Sequence, residues 1–233
     1  MAKCDGLPLV VVVLGGLLST KRKTVEEGRH MLQNITWHLI DQDRVSAILA
    51  LSYNDLPFHL ESCFLHLGLF PEDSSISKIK LIHLWVAEKF LPQQGEELVE
   101  GVAENCLNEL VDSGQQVASP ALQRNKSRRL AIHGEHDLFV FLKPYASYIR
   151  SLQYFNVGYL KNGFIYKDLK LLRVLDGVPF PSQALSAVGN LIQLSYLRLS
   201  LIQVPFRFQL PRSIGKLKNL QTLKVESNYE NFQ

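Results

Sequence analysis

The stretch SAILALSYNDLPFHLESCFLHLGLFPEDSSISKIKLIHLWVAEKF, residues 46–90, decides the fold because it contains several short amphipathic helices separated by clear breaks. Residues 54–57 end one helix, and Pro57 suits the first turn of the next. Residues 70–73 end that second helix, and Ser77 can cap a third one. Three short helices with tight connections predict a winged-helix or helix-turn-helix core. The apolar side chains at helical spacing are its predicted core: Leu60, Cys63, Phe64, Leu67, Ile79, Ile82, Trp85 and Val86.

The patterns on either side of this stretch differ from each other. Residues 1–43 predict a helix, a turn and a second helix, which starts at the capping-box pair Thr24 and Glu27. Residues 96–111 predict a further amphipathic helix. Residues 112–135 are rich in Gly, Gln, Ser, Asn and Arg, which indicates a linker, and RRLAIH at residues 128–133 predicts a strand at its end.

A leucine repeat occupies the last third of the chain. The pattern Leu-x-x-Leu-x-x-Leu begins at Leu169, Leu191 and Leu217, and a weaker copy begins at Ile149. Leucine-rich repeats have periods of roughly 20–29 residues. Each copy can bury its leucines only against neighbouring copies, so the pattern predicts a stacked solenoid with a short parallel sheet. Prolines between the copies exclude one continuous helix.

Alternation within these strands predicts a binding surface for a protein partner. The leucines point inward and the residues between them point outward. The mixture of charge and aromatic area on the outward side suits protein recognition better than catalysis, and the edge of the last strand favours association. The predicted partner surface consists of Tyr196, Arg198, Ser200, Thr222, Lys224 and Glu226.

Composition limits the classes of function. The 233 residues are 46% hydrophobic and 20% charged, which supports a packed core in one large or two small domains. A net charge of +3 argues against a nucleic-acid partner. Three widely spaced cysteines favour reduced thiols in a cytosolic protein over zinc or disulfide frameworks. The apolar run at residues 7–18 is shorter than the roughly 20 residues of a membrane span, so no stable membrane insertion is expected.

The motifs that support catalysis or metal binding are absent from the sequence. The phosphate-cradling pattern Gly-x-x-x-x-Gly-Lys-Ser/Thr does not occur, and Gly215-Lys216 lies inside a leucine repeat. His133, His136 and Asp137 have no nucleophile elbow beside them and no further metal ligands. The sequence therefore predicts no catalytic residue, no metal site and no enzymatic activity.

The amino-acid sequences of three segments resemble one protein family. LSYNDLP (51–57), CFLHLGLFPED (63–73) and LIHLWVAEKF (81–90) look like the winged-helix region of plant nucleotide-binding, leucine-rich-repeat disease resistance proteins, which are intracellular immune receptors. The resemblance implies an α+β fold, a helical and winged-helix domain followed by a short leucine-rich-repeat solenoid. Four parts are implied: the helical end of a nucleotide-binding module (1–43), a winged-helix-like domain (44–111), a linker (112–148) and leucine-rich repeats (149–233).

The same resemblance implies a role in plant defence through pathogen effectors or host guard and signalling proteins, in the cytoplasm. In the family an ADP/ATP switch controls this role, and GLPL at the start of the chain would form one wall of the nucleotide pocket. The residues of that wall are Gly6, Leu7, Pro8 and Leu9.

The chain departs from the family pattern in ways that put the switch in doubt. No phosphate-binding loop is present, and His136-Asp137 is a coincidental match to the family's Met-His-Asp motif because it follows rather than precedes RRLAIH. We therefore expect a truncated receptor with an incomplete switch and weak or lost binding of ADP and ATP. The alternative is a winged-helix DNA-binding regulator. Residues 77–89 argue against it because they are mostly apolar, whereas a groove-reading helix exposes Arg, Asn or Gln.

Overall fold

The protein is described by a computed structural model, which covers two units of the chain. The units are residues 1–74 with 90–122, and residues 75–89 with 123–233. Within the described part of the chain, the helices of ten or more residues are α1 (Phe58–Leu67), α2 (Lys78–Glu88) and α3 (Val99–Asp112). The structure describes residues 26, 29, 53, 56–71, 74–91, 98–112, 128–133, 145–155, 168–179, 185–202 and 209–228.

Helices α1 and α3 pack together in the first unit. The predicted core positions of α1 are all buried, which confirms the helical spacing read from the sequence. On α3 the buried face is formed by Ala103, Cys106 and Leu110. At the surface, His59 Nε2 lies 3.1 Å from Glu109 Oε2 and joins the two helices. The four buried α1 positions are Leu60, Cys63, Phe64 and Leu67.

His66 is a buried residue of α1, although histidine is a polar side chain. Only 1% of it is exposed. Its ring makes edge contacts with the rings of Phe70 and Phe90, at centroid distances of 5.9 and 5.5 Å. His66 lies three residues after Cys63, on the buried face of α1, and its aromatic ring packs there as an apolar side chain would.

The second unit contains a five-stranded parallel sheet whose strands follow one another in sequence order. This confirms the predicted parallel sheet and the predicted strand at RRLAIH. A short helix, α4 (Leu185–Val188), precedes the fourth strand, and a 3-10 helix, η1 (Arg212–Lys216), precedes the fifth. The strands are β1 (Arg129–His133), β2 (Ser151–Phe155), β3 (Val174–Pro179), β4 (Tyr196–Ile202) and β5 (Thr222–Asn228).

One face of the sheet is lined by the repeated leucines. Leu152, Leu175, Leu197 and Leu223 occupy the same register position in β2 to β5. The leucines that precede each strand bury themselves under this face, as the repeat predicts. Burial of each such side chain stabilises the fold by roughly 1.5–3 kcal/mol. The core comprises Ile132, Ala146, Ile149, Leu152, Tyr154, Leu169, Leu172, Leu175, Val188, Leu191, Leu194, Leu197, Leu199, Ile214 and Leu217.

Helix α2 belongs to the same unit as the sheet and contacts β3 and β4. Its start confirms the predicted cap, since Ser77 Oγ accepts a hydrogen bond from the Lys80 amide at 3.5 Å. Trp85 is completely buried, as predicted. Ile79 was also predicted to be a core residue, and this is wrong. It is 62% exposed because it lies on the outer side of the first turn.

Candidate functional site

The face of the sheet opposite the leucines is polar and largely buried. Gln153, Asp176, Arg198 and Lys224 share one register position in β2 to β5. Gln153 and Asp176 have no exposed surface, and neither has Ser151 in the preceding row. A charged residue is almost never fully buried unless it is paired. The pairing of Asp176 therefore defines the site, which we call the polar face.

Asp176 is paired with two cations, one from the helix and one from the sheet. Lys80, in the first turn of α2, places its Nζ 2.8 Å from Asp176 Oδ2. Arg198 Nε donates to Asp176 Oδ1, and Arg198 Nη1 donates to Glu226 Oε2 at 2.8 Å. The four charges form a continuous chain from α2 across β3 and β4 to β5. Lys80 also lies over the ring of Phe155, with its Nζ 5.6 Å from the ring centroid.

The other end of α2 is fixed by Glu88. Glu88 is 3% exposed, and its Oε2 accepts a hydrogen bond from Arg129 Nε at 3.2 Å. Its backbone carbonyl oxygen accepts a second one from Arg173 Nη1 at 3.3 Å. Helix α2 is thus bound to the sheet by ionic contacts in its first turn and in its last.

The electrostatics of the polar face favour one state of charge. Burial disfavours the charged form of Arg198, but its hydrogen bonds to Asp176 and Glu226 outweigh that effect and raise its pKa. Burial also raises the pKa of the Tyr196 phenol, and the negative charge of Asp176 adds to this effect. Arg198 therefore stays a cation and Tyr196 stays neutral at physiological pH.

The predicted partner surface divides into a covered part and an open part. Tyr196 was predicted to be exposed, and this is wrong because it has no exposed surface. Arg198 is only 17% exposed. Both lie on β4, which α2 contacts on its polar side. The sequence shows which residues point away from the leucines, but it does not show that a helix more than 100 residues earlier packs on them.

The open part of the predicted surface lies on β5. Thr222 and Lys224 are half-buried, and the side chain of Glu226 is 51% exposed. On the leucine side of the same strand, Leu223 and Val225 are 40% and 42% exposed. The register that the sequence predicts is nevertheless correct, since Leu197 pairs with Leu223 and Arg198 pairs with Lys224.

Several residues of the polar face were not identified from the sequence. Lys80, Glu88 and Arg129 lie in segments whose patterns predict only a helix and a strand. One signal could have indicated two of them. Lys80 and Glu88 are charged residues in the first and last turns of a mostly apolar helix, and a charged residue that becomes buried needs a partner. Because such partners are distant in sequence, their identity follows only from the fold.

Three further expectations from the sequence concern the nucleotide wall, metal binding and membrane insertion. Gly6, Leu7, Pro8 and Leu9, the expected nucleotide wall, lie outside the described residues. Within the described ranges, no group of three His, Cys, Asp or Glu side chains is placed to bind a metal ion. In that same part of the chain, no helix has the length and apolar character needed to cross a bilayer.

The DNA-reading alternative depends on an exposed recognition helix, and α2 does not provide one. Six of its eleven residues are buried, and Lys80 and Glu88, in its first and last turns, are paired with residues of the sheet. A groove-reading helix must present its polar side chains to base edges. The alternative is therefore not favoured.

Comparison with known proteins identifies a matching family model and several relatives. Residues 69–137, which contain α2, α3 and β1, match the family model described as "Disease resistance protein Winged helix domain". The chain is 32% identical to disease resistance protein RPP13 of Arabidopsis thaliana and 30% identical to disease resistance protein RPP8 of the same plant. It is 28% identical to ToMV resistance protein Tm-2(2) of Solanum lycopersicum. Each match covers 97% of this chain.

These observations define a class of protein in which a winged-helix segment is followed by a parallel sheet lined with leucines. The chain is a relative of the plant nucleotide-binding, leucine-rich-repeat disease resistance proteins, as its sequence indicates. It spans 30–31% of the length of these three relatives.

Proposed function

We propose that the chain acts in plant defence as part of an immune receptor and that it works through contacts with other proteins. The observation that carries the proposal is the match to resistance proteins over 97% of the chain, at 32% identity to RPP13. The open part of the polar face on β5 supports a binding role, because Lys224 and Glu226 leave charge accessible there. We further propose that the protein is cytoplasmic and has no enzymatic activity.

The repeats are proposed to be the beginning of a leucine-rich-repeat solenoid. Three features support this proposal: five parallel strands in sequence order, the leucines that fall in register, and the short helical segments between strands. A further repeated detail is the backbone bonding before each strand, where Ser195 N donates to Arg173 O and Gln221 N donates to Ser195 O, both at 2.8 Å.

The partner is proposed to be a protein, a pathogen effector or a host guard or signalling protein, that contacts the open part of the polar face. Helix α2 covers β3 and β4, so Lys224 and Glu226 on β5 offer the accessible charges, with the Thr222 hydroxyl on the same strand. Wider access to Asp176 and Arg198 would require α2 to leave the sheet. The contact between α2 and the sheet would then be the regulated step, and it would not depend on a complete ADP/ATP switch.

Disease assays in the source plant test this proposal. A line in which the gene is disrupted is challenged with a panel of pathogen isolates, and pathogen growth is measured. We expect increased growth of at least one isolate, and restoration of resistance by the unchanged coding sequence. A coding sequence with Lys224→Glu and Glu226→Lys reverses the charges of the open surface and should not restore it.

The control for this assay is Lys218→Glu, which reverses an exposed charge outside the strands and should restore resistance. Unchanged pathogen growth in the disrupted line across the whole panel would contradict a role in defence. Full restoration by the double variant would contradict the assignment of the partner surface while leaving the role in defence standing.

A further inference from the structure

Three arginines occupy the same position in successive strands of the sheet. Arg128 directly precedes β1, Arg150 directly precedes β2 and Arg173 directly precedes β3. We call these three residues the arginine row. The Arg150 amide donates to the Arg128 carbonyl oxygen at 2.7 Å, and the Arg173 amide donates to the Arg150 carbonyl oxygen at 2.7 Å. Neighbouring strands are about 4.8 Å apart, so the backbones of the row span about 10 Å.

The arginine row has little negative charge to balance it among the described residues. Glu88 is the acidic group there that acts on Arg150, and its carboxylate already accepts a hydrogen bond from Arg129. Arg173 reaches Glu88 only at the backbone carbonyl oxygen. Among the described residues, the positive charges of Arg128, Arg129 and Arg173 act on Arg150 against the single negative charge of Glu88.

The crowding of like charges affects the pKa of Arg150, at the middle of the row. Burial lowers the pKa of Arg150, and the positive charges of Arg128 and Arg173 lower it further. Arg128 is exposed, whereas Arg150 and Arg173 are half-buried, so the row faces solvent on one side and is fixed by the sheet on the other. Like charges held close together destabilise a protein unless an anion joins them.

Guanidinium groups bind phosphate through paired, charge-assisted hydrogen bonds, and their planar geometry matches phosphate oxygens. A row of fixed length suits linked phosphate groups better than one carboxylate. We propose that the arginine row is a binding site for a small polyphosphate anion, with Arg150 as the central contact and Arg128 and Arg173 on either side. This site lies at the start of β1 to β3, whereas the open part of the polar face proposed to contact protein partners lies on β5.

Calorimetry of the full chain with sodium pyrophosphate at constant ionic strength tests the proposal, with sodium chloride as the titrant control. We expect one site with a dissociation constant below about 1 mM. Arg150→Gln should weaken binding at least tenfold, and Arg150→Lys should weaken it less because the charge remains. Arg212→Gln is the matched control, since Arg212 is an exposed arginine on η1, and it should leave binding unchanged.

Thermal unfolding provides a readout that does not depend on heats of binding. Pyrophosphate should raise the melting temperature of the parent chain but not that of Arg150→Gln. If Arg150→Gln does not fold, Arg128→Gln takes its place, because Arg128 is exposed. Equal effects of Arg150→Gln and Arg212→Gln would overturn the proposal, and so would the absence of pyrophosphate binding.

Two further titrations separate the sources of phosphate. Vesicles of phosphatidylcholine containing phosphatidylinositol 4-phosphate present the same chemistry on a lipid surface, and a single-stranded oligonucleotide presents it on a nucleic acid. The proposal requires that soluble pyrophosphate competes with both through Arg150. Binding to vesicles or oligonucleotide that pyrophosphate does not reduce would overturn it.

Discussion

At the scale of single residues, Asp176 organises the polar face because it bonds to cations from two different elements. Its carboxylate has no exposed surface, while Lys80 and Arg198 retain 18% and 17% of theirs. The cost of removing a carboxylate from water is several kcal/mol, and it is offset here by two charged partners at short range. The pairing therefore specifies where α2 lies on the sheet more than it adds to stability.

Asp176→Asn removes the negative charge and leaves Lys80 and Arg198 without their shared partner. Breaking a buried ion pair from one side costs about 3–5 kcal/mol, so we expect a loss of stability of that size in urea unfolding of the chain. Glu226→Gln removes another carboxylate from the same Arg198, but that carboxylate is 51% exposed and should cost less than about 1 kcal/mol. Equal losses for the two variants would contradict the buried pairing.

Trp85 makes its contribution through packing, as the helical spacing of the sequence predicts. It is completely buried, so Trp85→Ala should lower the free energy of unfolding by about 3–5 kcal/mol. Ile79→Ala on the same helix is the control, because Ile79 is 62% exposed and its truncation should cost no more than about 0.5 kcal/mol. A Trp85→Ala loss as small as the control's would show that the site is not a packed core position.

At the scale of elements, β3 contains a register irregularity directly after Asp176, a central residue of the polar face. The register between β3 and β4 shifts between Asp176 and Val178, and Gly177 lies there with a φ of +74°. L-residues with a side chain rarely adopt this conformation. The shift comes directly after Asp176, so the strand can hold Asp176 opposite Arg198 and still continue along β4.

Gly177→Ala should destabilise the sheet for two reasons that act together. A β-carbon at this position would lie 2.6 Å from the Tyr154 carbonyl oxygen, and the positive φ is itself unfavourable for alanine. We expect a loss of about 1–3 kcal/mol in the free energy of unfolding. Gly215→Ala is the matched control, since a β-carbon there meets nothing within 4 Å. A Gly177→Ala variant as stable as Gly215→Ala would contradict the described backbone.

The elements could be predicted because their determinants are local. Helical spacing places Leu60, Cys63 and Phe64 in the core, and the leucine repeat sets the register of Leu197 with Leu223. The site could be predicted only in part. The alternation of residues along a strand predicts which side chains lie on the face opposite the leucines. The burial of Tyr196, however, depends on α2, which is remote in sequence. Long-range pairing of this kind has no local pattern from which it could be read.

At the scale of the whole molecule, the chain divides into two units of different composition and structure. Helices α1 and α3 form the packed core of one unit, while α2 and the sheet form a second unit with a polar face. The proposed partner surface is the part of this face that α2 leaves open. The relatives that align with 97% of the chain are disease resistance proteins.

Nucleotide binding is expected to be weak in this chain. The sequence has no Gly-x-x-x-x-Gly-Lys-Ser/Thr loop, and the lysine and hydroxyl of that loop bind the phosphates and magnesium in many nucleotide-dependent proteins. Calorimetry with ADP should give a dissociation constant no tighter than that for pyrophosphate, because the arginine row offers contacts to phosphate alone. A low-micromolar dissociation constant for ADP would contradict this expectation.

Helix α2 is bound to the polar face through Lys80 and Asp176, and the reactivity of its lysines tests this contact. Brief acetylation followed by mass spectrometry compares Lys80, 18% exposed and paired, with Lys78, which is exposed on the same helix. The account predicts that Lys80 reacts roughly tenfold more slowly than Lys78 in the folded chain, and equally fast in denaturant. Equal rates in the folded chain would contradict the contact between α2 and the sheet.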